Sequence, residues 1–263
     1  MNKKVKKYNP LSQDLDHILE HTKELWENLR EKKIFITGGT GFFGKWLIES
    51  FVWANDRLKL DAQVVVLSRN PDSFKTRYPH LAEASGGMFH QGDVRDFEFP
   101  QEQFDFIIHA ATDANAQLNE ENPLLMIDTI VEGTRRTLEF ARYCGAKRFL
   151  LLSSGAIYGK QPLDLPHVPE DYFGSPETTQ PASAYGEAKR LAELFCVIYQ
   201  KEYNLEITIA RCFAFVGPYL NLNIHYAVGN FIRDALNGGP ILVNGDGTPY
   251  RSFLYSADLA IWL

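Results

Sequence analysis

A glycine-rich turn at residues 37–44 constrains the fold of this 263-residue chain more than any other feature. It reads TGGTGFFG and lies between a short apolar segment and a helix-like one, with Gly39, Gly41 and Gly44 in the spacing G-x-G-x-x-G. Gly38 extends the match to the related spacing G-x-x-G-x-x-G. Glycine allows a tight turn with positive φ, a close approach of the backbone to a pyrophosphate, and tight packing of the helix on the strand. Because the helix N-terminus then offers free N–H groups to phosphates, the motif predicts a dinucleotide site, with a simple tight turn as the alternative.

Short apolar segments alternate with helical ones from Lys33 onward. The predicted strands are Ile34–Thr37, Val64–Leu67, Met88–Gln91, Phe104–His109, Phe149–Ser153 and Ile207–Cys212. The predicted helices between them are Gly44–Asn55, Pro123–Cys144 and Ala184–Tyr203. The strands are largely apolar on both faces, which is typical of parallel strands buried between helices. The alternation predicts an α/β fold, a doubly wound parallel sheet with helices on both faces.

The chain divides into three predicted regions: an N-terminal extension (1–31), a dinucleotide-binding domain (32–217) and part of a small substrate-binding lobe (218–263). In the extension, residues 12–30 carry apolar side chains at helical spacing, with Ser12 as the expected N-cap. This helix packs on the domain's own surface or, alternatively, binds a partner. After Pro218, glycine-containing loops surround a predicted helix at Asn230–Leu236 and two short strands. Since the sequence stops at Leu263 inside an apolar run, we expect the lobe to be truncated.

Composition excludes several classes of function. The net charge of −6 argues against a nucleic-acid surface. Three cysteines, without a C-x-x-C spacing and in apolar surroundings, favour buried free thiols and a reducing compartment. No apolar run approaches the ~20 residues that span a bilayer, and the basic N-terminus lacks the apolar region of a signal peptide. The histidines show no metal-ligand spacing. We therefore expect a cytoplasmic protein without a metal, a nucleic-acid partner or a membrane partner.

Tyr185 and Lys189 lie four residues apart at the start of a predicted helix, which places both on one face. A phenol with an ordinary pKa near ~10 is a poor base at neutral pH, and a neighbouring ammonium favours its phenolate. Ser154 follows a predicted strand at its carboxyl end, where open parallel sheets bind ligands. Taken alone, the Tyr-x-x-x-Lys spacing is common by chance, and the alternative is a surface tyrosine beside a solvated lysine.

These motifs occur in one order: the glycine turn, the sequence HAA at 109–111, Ser154, and then Tyr185 with Lys189. In this order the chain resembles, from about residue 33 to its end, the extended short-chain dehydrogenase/reductase family. This is the branch of nucleotide-sugar epimerases, dehydratases, decarboxylases and ketoreductases. The resemblance implies a Rossmann sheet and a catalytic set of Ser154, Tyr185 and Lys189. In the family, the tyrosine is the general acid/base, the lysine orients the cofactor ribose and lowers the tyrosine pKa, and the serine hydrogen-bonds the reacting oxygen.

The same resemblance implies the remaining contacts. The expected cofactor-binding residues are Gly38, Gly41, Phe42, Phe43, Gly44, Ser68, Arg69, Asp93, Val94, Ala110, Ala111, Thr112, Tyr185, Lys189 and Phe213. The expected substrate-binding residues are Asp113, Ser154 and Arg251, with the arginine gripping the substrate diphosphate. The implied substrate is a nucleotide sugar.

Some residues depart from the family pattern. Ala214 and Ile130 stand where the family has asparagines, so the identity of the sugar stays open. Gly155 and Ala156 follow Ser154 where 4,6-dehydratases have an Asp-Glu pair and decarboxylases keep a glutamate. Elimination needs a proton donor and a base at neighbouring carbons, which glycine and alanine cannot supply. We expect 4-ketoreduction or 4-epimerisation; the alternative is a catalytically idle dinucleotide-binding sensor or scaffold.

The end of the second predicted strand bears on the choice of cofactor. An acidic residue there would accept hydrogen bonds from the ribose 2′-OH of NAD. Ser68 and Arg69 instead offer a hydroxyl and a guanidinium, which suit a 2′-phosphate, so we expect NADP(H) in preference to NAD(H). The alternative is that Arg69 stacks on adenine or points to solvent.

His109, at the end of another strand, is expected to be structural rather than a general base.

The family's relatives commonly dimerise through two long helices, which implies a homodimer built on Pro123–Cys144 and Ala184–Tyr203. Phe195 and Tyr199 lie one helical turn apart and are candidates for the seam between subunits. Alternatively, both side chains face the protein's own sheet, given their apolar neighbours.

Overall fold

The computed structural model describes residues 9–84, 89–112, 116–224, 227–243, 245–247 and 250–263. Its strands are β1 Lys33–Thr37, β2 Gln63–Ser68, β3 Phe89–Gln91, β4 Phe106–His109, β5 Arg148–Ser154, β6 Glu206–Cys212, β7 Ala214–Val216 and β8 Phe253–Tyr255. Its α-helices are α1 Ser12–Trp26, α2 Phe42–Leu58, α3 Pro71–Arg77, α4 Pro79–Ala84, α5 Ala116–Glu121, α6 Pro123–Tyr143, α7 Ala184–Tyr203, α8 Ala227–Leu236 and α9 Ser256–Trp262. Short 3-10 helices occupy Glu27–Leu29, Gly155–Tyr158 and Pro181–Ser183.

Strands β1 to β6 form one parallel sheet in the order β3-β2-β1-β4-β5-β6, and β7 pairs with β8 in a separate parallel pair. In this register Ile34 of β1 lies opposite Val64 of β2 on one side and Phe106 of β4 on the other. The chain runs outward from β1 to β3 and then returns to the far side of β1 with β4. Such a reversal puts the connecting helices on both faces of the sheet. The predicted doubly wound parallel sheet is confirmed.

The core consists of one apolar layer on each face of the sheet. On one face, Phe35 packs against the rings of Phe104 and Phe140, with ring centroids 5.3 and 4.7 Å away. On the other face, Ile34 and Ile36 join a second apolar cluster, to which β2 contributes Val64 and Val66. Successive residues of a strand point to opposite faces, so β1 supplies side chains to both layers. The apolar pattern of this strand therefore fixes it at the centre of the molecule.

Helix α1 packs on the protein's own surface. Leu15 and Ile18 are buried and join a cluster with Trp46 of α2 and Ala257 of α9. The indole Nε1 of Trp46 donates a hydrogen bond to the carbonyl oxygen of Pro218 at 2.9 Å. The first of the two alternatives for this helix therefore holds, and the same indole also ties α2 to the segment that follows the sheet.

Two helix starts differ from the prediction. Ser12 is not the N-cap of α1: the cap position is Leu11, whose side chain makes no capping hydrogen bond. The nearby polar side chain is Asn9, whose Oδ1 accepts a hydrogen bond from the backbone N–H of Leu11 at 2.9 Å. Helix α2 begins at Phe42 rather than at Gly44, because the extended residue Gly41 is its N-cap.

The prediction missed α3, although residues close together in the sequence signal the start of this helix. The side chain of Asn70 accepts a hydrogen bond from the backbone N–H of Ser73 at 3.0 Å, and Pro71 occupies the first turn. This is the usual start of a helix. The prediction also placed two short strands after Pro218, whereas β7 precedes that residue.

The three cysteines are free, but only Cys144 and Cys196 are buried; Cys212 is half-buried at the end of β6. The expectation of three buried thiols is therefore wrong for Cys212, because β6 is the edge strand of the sheet that the described residues form. Within the described ranges, no helix has both the length and the apolar character needed to cross a membrane.

Candidate functional site

A cavity of about 960 Å³ lies at the carboxyl ends of the sheet strands, next to the point where the strand order reverses between β1 and β4. Open α/β sheets bind ligands at this position because the loops that follow neighbouring strands diverge there. Sixteen of the predicted site residues line this cavity: Gly38, Gly41, Phe42, Phe43, Ser68, Arg69, Asp93, Val94, Ala110, Ala111, Thr112, Ser154, Tyr185, Lys189, Phe213 and Arg251. Of the other two, Gly44 lies behind the turn, and Asp113 falls outside the described residues.

The glycine turn packs against its surroundings without room for side chains. Gly38 has φ of 73°, and a Cβ there would meet the carbonyl carbon of Ala110 at 2.5 Å. A Cβ on Gly44 would collide with the Cα atom of Gly39. The turn is closed by a hydrogen bond from the N–H of Gly41 to the carbonyl oxygen of Gly38 at 3.0 Å. This cradle leaves the first N–H groups of α2 facing the cavity, so the residues present fit the pyrophosphate of a dinucleotide.

His109 lies in the interior below this turn, with 2% of its surface exposed. Its Nδ1 lies 2.8 Å from the hydroxyl of Thr37, and its Nε2 lies 3.1 Å from the hydroxyl of Thr134. The Thr37 hydroxyl also accepts a hydrogen bond from the N–H of Ala111. Burial, helped by the positive charge of Lys189, lowers the pKa of His109 to about 3. His109 is therefore a neutral structural residue, as expected, and it fixes the end of β4 against β1.

Lys189 is 3% exposed, so the alternative of a solvated lysine is wrong. Its Nζ donates hydrogen bonds to the hydroxyl of Thr112 and to the carbonyl oxygen of Leu152, each at 2.7 Å. Burial lowers the pKa of Lys189 to about 8. Tyr185 lies one turn earlier on α7, half-buried on the same cavity wall, and its backbone N–H donates to Oδ1 of Asn119 at 3.1 Å.

Ser154 ends β5 and caps the 3-10 helix that follows it. Its Oγ accepts a hydrogen bond from the N–H of Ala156 at 3.1 Å, so its own O–H group remains available to donate toward the cavity. A Cβ on Gly155 would meet Cε1 of Phe213 at 2.5 Å. The aromatic ring thus occupies the space that a side chain at position 155 would need.

An ion pair between a buried and a half-buried side chain lies behind Ser154, and sequence reasoning missed it. Glu193, one turn after Lys189 on α7, pairs with Arg211 of β6 at 2.9 Å and accepts a short hydrogen bond from the hydroxyl of Ser153. Arg211 also donates to the hydroxyl of Tyr158 at 2.7 Å, and these bonds raise its pKa. The signal in the sequence was an acidic side chain on the apolar face of α7. The pair holds β5, β6 and α7 in register beneath the site.

At the end of β2, the buried Ser68 accepts a hydrogen bond from the N–H of Asn70 at 3.2 Å, while Arg69 is exposed at the mouth of the cavity. Asp93 is held by Arg95, with N–O distances of 2.8 and 3.1 Å. The hydrogen bond from Arg95 lowers the pKa of Asp93, and the charge of Arg69 adds to this effect. Arg95 was missed by sequence reasoning, as were two further wall residues, Lys45 and Tyr219. Across the described ranges, no group of three His, Cys, Asp or Glu side chains could hold a metal ion.

Comparison with known proteins gives consistent matches. The model of the family described as "NAD dependent epimerase/dehydratase family" matches residues 34–262. UDP-glucuronic acid decarboxylase 1 of Xenopus tropicalis is 33% identical over 229 residues, which cover 87% of this chain and 52% of that protein. UDP-glucuronic acid decarboxylase 6 of Arabidopsis thaliana is 33% identical over 241 residues, 92% of this chain and 66% of that protein. The chain thus spans about half the length of several relatives it matches.

Solved structures show the same fold. UDP-glucose 4-epimerase from Thermotoga maritima, determined with UDP-glucose, has a TM-score of 0.73 and 26% identity, covering 87% of this chain and 71% of its own. UDP-glucuronic acid 4-epimerase from Bacillus cereus, determined with UDP-glucuronic acid and NAD, has a TM-score of 0.73 and 24% identity, covering 87% and 70%. The second likeness concerns the fold alone.

The neutral state of His109 predicts a specific loss of stability in acid. The unfolded chain binds a proton at this residue below its ordinary pKa of 6.5, whereas the folded protein excludes it down to about 3. The free energy of unfolding therefore falls as the pH drops through this window, and His109 accounts for about 2 kcal/mol of the loss at about pH 5. Urea titrations at about pH 8 and about pH 5 give the loss in the free energy of unfolding between the two pH values. This loss should be smaller in His109→Gln than in the wild type by that amount. The same substitution at the exposed His21 should leave the wild-type loss unchanged; equal losses in all three proteins would contradict the assignment.

Proposed function

Since the chain belongs to the NAD dependent epimerase/dehydratase family, we propose that it is an NAD(P)-dependent enzyme acting on a nucleotide-activated sugar. The observation that carries the proposal is the convergence of Ser154, Tyr185 and Lys189 on one wall of the cavity that the glycine turn opens into. The names of the relatives and of the Thermotoga maritima structure support the substrate class, because each of those proteins is described as acting on a UDP-sugar. We propose 4-epimerisation or 4-ketoreduction as the reaction.

The roles we propose follow from the contacts of each side chain. When bound, a nicotinamide dinucleotide supplies the acceptor and donor of hydride. Tyr185 takes or returns the proton at the reacting hydroxyl or carbonyl oxygen of the sugar, and Ser154 donates its O–H to the same oxygen. Lys189, with its pKa of about 8, keeps a positive charge at neutral pH. This charge lies beside the wall where the reacting oxygen of the sugar becomes negative. Two fixed acceptors hold its ammonium, so this charge needs no rearrangement during the reaction.

The contact between Gly155 and Phe213 supports epimerisation or reduction over elimination. No carboxylate stands at positions 155 and 156, directly after Ser154, and the ring of Phe213 lies where one would project from position 155. Proton transfer at a neighbouring carbon therefore lacks a donor at this point of the wall. The idle sensor or scaffold is the weaker hypothesis, because a sensor has no use for an ammonium buried at a cost beside a tyrosine.

We also propose a homodimer, with a seam that differs from the one first expected. Tyr199 is buried and hydrogen-bonds Glu139 of α6, and Phe195 packs on the core, so these two side chains face the protein's own interior. The exposed face of α7 instead carries an apolar stripe: Leu191, Leu194, Val197 and Ile198. A stripe of this kind on a long surface helix is typical of an interface between subunits.

The cytoplasmic location remains a prediction from the unpaired cysteines.

The catalytic proposal predicts that Tyr185→Phe keeps cofactor binding and loses turnover. Removing one general acid/base should lower kcat on the order of 10²–10⁴-fold, because only the proton transfer is removed. Turnover should be measured with a panel of nucleotide sugars and both reduced and oxidised cofactors, and binding by nicotinamide fluorescence. Tyr203→Phe, on the same helix but exposed, is the matched control. Turnover of Tyr185→Phe within about threefold of wild type would remove this residue from the mechanism. Binding without turnover in the wild type would favour the sensor.

We propose that Arg69 gives a preference for NADP(H), and this proposal predicts a selective effect of substitution at Arg69. A charge-assisted contact with the 2′-phosphate should make NADPH bind about one to two decades more tightly than NADH. Arg69→Ala should weaken NADPH and leave NADH nearly unchanged, as measured by paired fluorescence titrations. The control is Arg77→Ala, an exposed arginine on α3 that does not line the cavity. Equal wild-type affinities, or a variant that loses both cofactors alike, would make an NAD-retaining epimerase the better hypothesis.

The dimer proposal predicts that Leu194→Glu produces a folded monomer. Leu194 is 53% exposed at the centre of the stripe, so a carboxylate there costs the single subunit little but would be buried in a dimer. Light scattering at micromolar concentration should report a dimer for the wild type and a monomer for the variant. Leu163→Glu, a fully exposed loop residue, should remain dimeric. A monomeric wild type, or an unchanged mass for Leu194→Glu, would refute this interface.

A further inference from the structure

Lys45 is a buried cation on the cavity wall that none of the roles above uses. It follows Gly44 in the first turn of α2, and its backbone N–H donates to the carbonyl oxygen of Gly41 at 3.1 Å. The residue is 8% exposed, yet it lines the cavity together with the glycine turn. A lysine in this state must have its charge compensated by the protein or by a ligand.

Two tyrosines surround the ammonium of Lys45. Its Nζ lies 4.7 Å from the ring centroid of Tyr78 and 5.1 Å from that of Tyr219, and it donates a long hydrogen bond of 3.3 Å to the Tyr78 hydroxyl. The two rings meet edge to face at 5.7 Å. Tyr219 is held there with φ of 73°, a conformation that costs a non-glycine residue energy. Aromatic faces attract a cation and fix its position, but they carry no net negative charge.

The acidic side chain one turn further along α2 does not neutralise Lys45. Glu49 is buried and accepts hydrogen bonds from Asn9 at 3.0 Å and from the hydroxyl of Tyr219 at 2.5 Å. It also contacts Nε2 of His80 at 3.0 Å. In the part of the chain that the structure describes, no carboxylate forms a salt bridge with Lys45. Within the described residues, the charge is therefore positioned by neutral rings and has no carboxylate in salt-bridge contact, at the edge of a cavity whose glycine turn suits an anionic ligand.

We propose that the ammonium of Lys45 binds a phosphate of the dinucleotide, an inference that rests on the proposed function. The N–H groups at the start of α2 and a cation in the same turn present positive charge to one region of the cavity. Lysine binds phosphate as a point charge, and the tyrosine cage keeps its long side chain from collapsing away from the cavity. The phosphate is either the pyrophosphate that NADH and NADPH share or the 2′-phosphate that only NADPH carries.

Binding measurements on Lys45→Gln and Lys45→Met test this assignment. Isothermal titration with NADH, NADPH and ADP-ribose should show a loss of affinity of roughly ten- to hundredfold, the effect of one charge-assisted contact. A loss for all three ligands assigns Lys45 to the pyrophosphate, and a loss for NADPH alone assigns it to the 2′-phosphate. Lys75→Gln, an exposed lysine on α3 paired with Asp72, should change none of the affinities. Unchanged affinities in both Lys45 variants would overturn the proposal.

The thermal stability of the ligand-free variants separates binding from a structural role. An unneutralised buried charge costs the empty protein stability, so Lys45→Met should keep or raise the Tm while it weakens binding. If Lys45 instead served to hold the two tyrosines, both variants would lower the Tm. A loss of affinity seen only together with such a drop would overturn the proposal. Lys45→Arg should retain most of the affinity. A wild type that binds none of the three ligands would refute the proposed function itself, whereas wild-type binding with unaffected variants would refute only the role of Lys45.

Discussion

The rest of the site depends on the close approach of the glycine turn to the end of β4. Gly38 touches the backbone of Ala110, and Gly44 touches Gly39, at distances that exclude a Cβ atom. Because the turn approaches the end of β4 this closely, the first N–H groups of α2 face the cavity. The same contact lets the Thr37 hydroxyl reach both the N–H of Ala111 and the ring of His109. The close contact between the glycine turn and β4 thus positions both the start of α2 and the end of β4.

Charge burial is the second organising constraint. Lys189 and His109 are both interior, and the protein keeps the lysine charged at neutral pH and the imidazole uncharged. The difference arises because two oxygen acceptors hold the ammonium, whereas the imidazole is satisfied in its neutral form by two hydroxyls that can donate or accept. A second positive charge beside Lys189 would repel it, so a neutral His109 is a condition for the buried ammonium. The charge on the cavity wall therefore depends on a residue in the core behind that wall.

Local patterns in the sequence predicted the sheet and the glycine turn, because a strand, a turn and a helix start each depend on residues close together in the chain. The family resemblance added most of the sixteen predicted residues that line the cavity. Contacts between distant segments could not be predicted in this way. Tyr219 reaches Glu49 across 170 positions, and the ring of Phe213 fills the space beside Gly155. The orientation of Tyr199 was equally open, since the periodicity of α7 is apolar on more than one face. Its hydrogen bond to Glu139 decides it.

The contact between Gly155 and Phe213 links the turn after β5, where Ser154 lies, to the segment that follows β6. Phe213 lies between β6 and β7 and is 61% exposed, with its ring stacked 6.3 Å from that of Tyr158. Tyr158 in turn is held by Arg211, which the buried Glu193 anchors. An acidic residue at position 155 would have to displace the ring and disturb this stack, so the missing carboxylate is part of a packed arrangement and not an isolated change. The cavity wall beside Ser154 is thus shaped by an aromatic side chain almost sixty positions further along the sequence.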